Sequence, residues 1–188
     1  NSIIVKISGT GVNAEISGFT VSGPGPGGCG TIGYGIFVQG SAFADIHDNE
    51  VIDIKDTGLS GCQNGIGIRV GSQFLNSFGT ADITNNNLST YQKGGIVVDG
   101  LTSHAVITGN TVLGDGPIAY IAENGIQIGR GATAMLSGNV VTGHKYSGTG
   151  WASTGILLYE AGFVDINGNT VGSNDVGIDV YASTTIPT

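Results

Sequence analysis

Three residues of this chain have the types and the even spacing to share one polar centre: Arg69, Asp99 and Arg130. A carboxylate among cationic groups suits removal of an acidic C–H proton beside a neutralised carboxylate. Arg69, Arg130 and Lys145 are candidate bases, and Asp99, Asp179, Glu123 and Glu160 are candidate cation ligands. Asp99 with Asp179 or Glu160 would supply the two carboxylates of glycoside hydrolysis. Gln127, Tyr146, Trp151, Tyr159 and Tyr181 set flat apolar rings beside polar groups. That combination suits sugar rings, which have apolar faces and hydroxyl edges. Glu15, Asp45 and Asp82 form an oxygen-only set of the kind that binds calcium. Each group has a plainer alternative: aromatics that pack loops, and carboxylates that sit solvated. His47, His104 and His144 lack zinc-ligand spacing.

A repeat must position these residues. Gly35-Ile36-Phe37-Val38, Gly65-Ile66-Gly67-Ile68, Gly95-Ile96-Val97-Val98, Gly125-Ile126-Gln127-Ile128 and Gly155-Ile156-Leu157-Leu158 start 30 residues apart, and Gly177-Ile178-Asp179-Val180 follows at 22. A fixed period of this size marks a solenoid. A second motif runs between the copies, as in Ala44-Asp45-Ile46-His47-Asp48-Asn49-Glu50-Val51 and Val164-Asp165-Ile166-Asn167-Gly168-Asn169-Thr170-Val171. Both alternate apolar and polar residues, the period of a strand with one buried face. The shortest circuits leave no room for a crossover helix. Each circuit is therefore read as one turn of a coil whose strands pair in parallel with their copies in the next turn. Asn49, Asn86, Asn110, Asn139 and Asn169 share one column, read as a structural ladder of stacked amides. The residues before them are Asp, Asn or Gly, which tolerate a left-handed backbone.

The Gly-Asn-x-Val turns and Gly-Ile-x-Val strands resemble the right-handed parallel β-helix repeat of the pectin-lyase-like superfamily, which includes carbohydrate-binding and sugar-hydrolase solenoids. The resemblance covers nearly the whole chain and implies an all-β solenoid of about six coils. At ~4.8 Å per coil the rod is about 30 Å long. The fold fixes no reaction. The resemblance implies polysaccharide as partner and, for lyases of this kind, Arg or Lys acting with calcium-binding Asp or Glu. The chain departs from the known catalytic sets: it lacks the Asn-Thr-Asp, Asp-Asp and Gly-His-Gly set of polygalacturonases, the Trp-Ile-Asp-His and Arg-x-Pro-x-x-Arg set of pectate lyases, and the Asp-Pro-His signature of alginate epimerases.

Composition narrows the partners. A net charge of −8 with six basic residues disfavours nucleic acid and unaided binding of polyanionic glycans. No stretch is long and apolar enough to span a membrane. Residues 1–188 read as a single domain. Strand-like sequence at its start and the lack of an amphipathic cap after Tyr181 predict either missing flanking sequence or end-to-end self-association. Cys29 and Cys62 fall in equivalent loops of adjacent coils, within disulfide reach. A disulfide, rather than two buried thiols, implies an oxidising compartment and a secreted or cell-surface protein.

Function in a solenoid sits where the repeat is broken. The connection over 89–94 is short, whereas 22–34, 52–64, 113–124 and 142–154 are extended, and 71–79 lengthens the other side of one coil. These insertions predict a groove floored by the outward residues of the Gly-Ile strands. Phe37, Gly67, Val97, Gln127, Leu157 and Asp179 are expected in one column. Gln39, Arg69, Asp99, Gly129, Tyr159 and Tyr181 are expected in the next, with Tyr34, Tyr91, Tyr120, His144, Lys145, Tyr146 and Trp151 overhanging. The expected function is binding, with or without processing, of a polysaccharide along this face. The alternative is a non-catalytic structural or adhesin solenoid.

Overall fold

A computed structural model describes residues 2–182 apart from residue 26. The tail over 183–188, read above as lacking a cap helix, lies outside the described residues. All described elements are strands, and every ladder is parallel. Sheet A has seven strands: Ser2–Ser8, Ile32–Gln39, Ile66–Val70, Gly94–Asp99, Asn124–Gly129, Thr154–Tyr159 and Val176–Tyr181. Sheet B stacks six, from Asn13–Ser17 to Val164–Asn167, and sheet C six, from Thr20–Ser22 to Thr170–Gly172. Each circuit visits A, B and C in turn. One apolar column from each alternating strand fills the tube: Ile36, Ile68, Ile96, Ile126 and Ile156 from A, Ile46, Ile83, Ile107 and Leu136 from B, and Val51, Leu88, Val112 and Val141 from C.

The asparagine column is the corner between B and C. Each Asn backbone N–H and side-chain Nδ2 donates to the Oδ1 of the next level, at 2.8–3.1 Å from Asn49 through Asn169. Each Nδ2 also donates to a backbone carbonyl of the preceding coil, as Asn86 does to Ile46. Asn49, Asn86, Asn110 and Asn139 are buried but fully engaged, which is what a buried polar group requires, and Asn169 ends the ladder half-buried. Asp48, Asn85 and Gly109 precede the column with φ of 55°, 55° and 67°. At the first level Phe19 replaces the Asn, and its N–H still donates to Asn49 Oδ1.

The register of sheet A corrects one expectation. Ile36 pairs with Ile68, and Ile68 with Ile96, so Gly67 and not Gly65 stands in the glycine column. A Cβ on Gly35 would lie 2.6 Å from the Gly67 carbonyl oxygen, and one on Gly67 2.7 Å from that of Gly95. Gly95 and Gly125 repeat the contact at 2.7 and 2.6 Å. Strands come too close here for any side chain, so the column holds glycine at each level from Gly35 to Gly155. Gly65 instead turns the chain with φ 79°. Arg69 consequently shares its column with Phe37, Val97, Gln127, Leu157 and Asp179 rather than with Asp99.

Candidate functional site: an aromatic groove on sheet A

The outer face of sheet A is divided. In its first half Phe37 and Val97 are 1% and 5% exposed although they point away from the tube. Tyr34 packs over Phe37, with ring centroids 4.7 Å apart, and the Arg69 guanidinium lies over the Tyr34 ring. The expected pairing of Arg69 with Asp99 is present on the diagonal: Arg69 Nη2 donates to Asp99 Oδ2 at 2.7 Å. Arg130 Nη1 donates to Oδ1 at 2.7 Å, and the Gln73 amide donates to Oδ2. Arg69 Nε also donates to the Gly71 carbonyl, and its Nη2 to Ser72 Oγ. Asp99 is fully buried. The three residues proposed as a polar centre thus meet, but Asp99 is sealed and both its oxygens are engaged. What they hold is the 71–79 loop, closed on itself by paired Ser72 and Ser77.

The second half of the face is an open groove of about 1080 Å³. Leu157, Tyr159, Asp179 and Tyr181 form its floor, and the loops of three coils form its wall through Gly61 and Gln63, Tyr120 to Ala122, and Tyr146 with Gly150 to Ala152. Tyr159 and Tyr181, on adjacent strands, stack at 5.1 Å with planes 9° apart. Arg130 lies over the Tyr159 ring and against Phe74, which joins the sealed half to the open one. Trp151 is 80% exposed in the wall. Four of the expected substrate-binding residues, Tyr146, Trp151, Tyr159 and Tyr181, therefore line one groove. Gln127 stands in the floor column next to Leu157, and its Oε1 accepts from Asn124 Nδ2 at the groove's edge.

Each wall loop is fastened from beneath. Cys29 and Cys62 form the expected disulfide, with Cα atoms 5.7 Å apart. Asp56 accepts from the Gly30, Thr31 and Ile32 amides, the Thr31 hydroxyl and Asn64 Nδ2. Burial alone would raise its pKa, but these hydrogen bonds together hold it well below the usual carboxylate value. Gln92 spans two levels, accepting from the Asp56 amide and donating to the Cys62 carbonyl. Glu123 Oε1 accepts from the Asp115 amide across the base of the next loop, while its buried Oε2 has no partner. Burial, helped by nearby Asp115, pushes Glu123 up to about 8, so it is the neutral acid at pH 7. Asp175 Oδ2 accepts from the Tyr146 and Ser153 amides and so closes the loop that carries Trp151.

Two residues expected to overhang the groove, Tyr91 and His144, are instead inside the wall. The Tyr91 hydroxyl meets His144 Nε2 at 2.5 Å, and His144 Nδ1 donates to Asn174 Oδ1 at 2.8 Å. Burial lowers His144 to about 4, so the ring is neutral and both nitrogens are satisfied. Lys93, unforeseen, lines the groove from the short connection, and its Nζ donates to the Ala122 carbonyl at 2.6 Å. Its own connection, 89–94, carries no insertion to mark it.

On sheet B, Glu15, Asp45 and Asp82 do share one outward column. Glu15 Oε1 turns to His47 Nε2 at 3.2 Å. Among the described residues, no group of three or more His, Cys, Asp and Glu side chains converges to hold a metal ion. No described helix is long and apolar enough to cross a membrane.

The groove's charged lining is one amine, Lys93, and one carboxylate, Asp179. Apolar and aromatic surface makes up most of the rest, with Gln63, Asn124 and Thr154 as polar points. Such a surface can stack flat rings and bond hydroxyl groups. A family model described as "Right handed beta helix region" matches residues 2–188. No curated protein and no solved structure matches the chain.

Proposed function

Since the chain belongs to the right-handed β-helix family, its coils are scaffold, and we propose that its work is done by the groove: binding an extended carbohydrate chain, without turnover, on a secreted or cell-surface protein. The observation that carries this reading is the stacked Tyr159–Tyr181 pair in the same groove as exposed Trp151. Solvent-exposed aromatics kept on both floor and wall fit a ligand with apolar ring faces better than they fit loop packing. The groove volume is at the upper end of ligand sites, about 300–1,000 Å³, and gives room for several rings. Binding is favoured over turnover because hydrolysis needs two carboxylates about the bond and the groove lining offers Asp179 alone. The disulfide supports an oxidising compartment. A structural or adhesin solenoid is the alternative reading.

Trp151 is the chain's single tryptophan, which makes its fluorescence a direct readout of the groove. Titration with a panel of soluble polysaccharides, neutral and uronic, should give a saturable change with at least one of them, and no new reducing ends or unsaturated products. A panel with no saturable change would sink the carbohydrate reading. Product formation would replace binding by catalysis.

A further inference from the structure

Resting on that carbohydrate reading, we infer that the groove selects uncharged glycan chains and rejects uronate or sulfated ones. A chain of repeated carboxylates needs cations to meet them, because a partly desolvated anion without a partner is costly. The fate of all six basic residues is visible. Arg69 and Arg130, the groups best shaped to grip a carboxylate, both bond Asp99, Arg130 through Nη1 alone with its guanidinium over the Tyr159 ring. Lys55 faces Asp53 at 3.3 Å and Asp115 at 3.8 Å. Lys6 stands at the opposite end of the floor column from Asp179, and Lys145 is exposed outside the groove lining. Lys93 is the one basic residue in the groove lining, with its amine bonded to the Ala122 carbonyl. Burial lowers the pKa of that amine.

The groove is also not electrically neutral toward an anion. Asp179 stands exposed in the floor beside the Tyr159–Tyr181 stack, within a chain of net charge −8. Both repel an approaching polyanion before contact. Discrimination therefore has a repulsive element in the lining, Asp179, and no guanidinium in the lining to set against it. A neutral chain meets none of this opposition and can use Gln63, Asn124 and Thr154 as hydroxyl partners.

The test uses the whole chain in EDTA, so that no divalent cation bridges carboxylates. Neutral gluco-, manno- and xylo-oligosaccharides are compared with galacturonate and mannuronate oligomers of equal length, by Trp151 fluorescence and calorimetry. At least one neutral oligomer should bind about tenfold or more tightly than every uronate, and Asp179→Lys should shrink that gap to about threefold or less. Uronate binding as tight as the best neutral oligomer would overturn the inference and leave the carbohydrate reading standing. An unchanged gap in Asp179→Lys would overturn the charge argument. Binding by neither class would bring down the carbohydrate reading and the inference with it.

Discussion

The two halves of sheet A's outer face are built on one strand register and have opposite fates. At the levels of Phe37, Arg69 and Val97 the face is roofed, and a carboxylate at the centre is consumed by two guanidinium groups. At the levels of Leu157 and Asp179 it is open, and aromatic rings stand exposed beside loops fastened from beneath. The difference lies in which side of the sheet carries the extension. Loop 71–79 comes from the far side and folds over the face, held by Asp99, whereas the loops ending at Asn124 and Thr154 rise at the near side and stop as a wall. Charge and access are thus separated along one face. The sealed half has the charges, and the open half has the access.

The comparison breaks most sharply at Asp99. Asp99→Ala leaves Arg69 buried without its counter-charge and frees the Gln73 amide, so the chain should lose about 3–5 kcal/mol of stability. Urea unfolding checks this, and a loss under 1 kcal/mol (roughly the worth of an exposed pair) would show the roof to be weakly held. Trp151→Ala should do the reverse: stability within about 0.5 kcal/mol of the parent, and groove affinity down about tenfold or more.

The groove wall also carries opposed titrations. Glu123 has a folded pKa of about 8 against an ordinary 4.5, so the folded chain holds its proton longer and stability falls as pH rises from 4.5 to about 8. Burial raises Asp115 in the same sense. His144, at about 4 against 6.5, resists protonation, so stability falls as pH drops from 6.5 to about 4. Thermal midpoints should therefore peak between pH 4.5 and 6.5, and Glu123→Gln should flatten the alkaline side. A peak that stays sharp on that side in the variant would clear Glu123 of the role. The smallest effect is expected on sheet B, far from either half. Asp45→Asn relieves stacked like charges and should raise stability by about 0.2–1 kcal/mol. A calcium-dependent loss would instead show a cation bridging the column.

Much of this was legible in the sequence because the coil repeats its reasons. The asparagine column, its left-handed predecessors and the alternation in sheet B appear at level after level, and each copy corroborates the others. Gly65-Ile66-Gly67-Ile68 misled because it matches the motif in two frames. Only the close approach of neighbouring carbonyls decides for Gly67. The Arg69–Asp99 pair was legible, but its burial was not, since that depends on how loop 71–79 closes. Lys93, Glu123 and His144 act through non-repeated loop contacts, for which a single sequence has no second copy to compare.

The Cys29–Cys62 bond has a mechanical consequence. It encloses a sequence separation of 33 residues, about one full turn of the coil, from strand Ile32–Gln39 to strand Glu50–Ile52. Pulled from its two ends, the oxidised chain cannot pay out that segment, which at about 3.4 Å per residue hides roughly 110 Å of contour length. Under tension the solenoid would unspool through its other turns while the enclosed one stayed closed, and a reductant would release the hidden length as a separate final step.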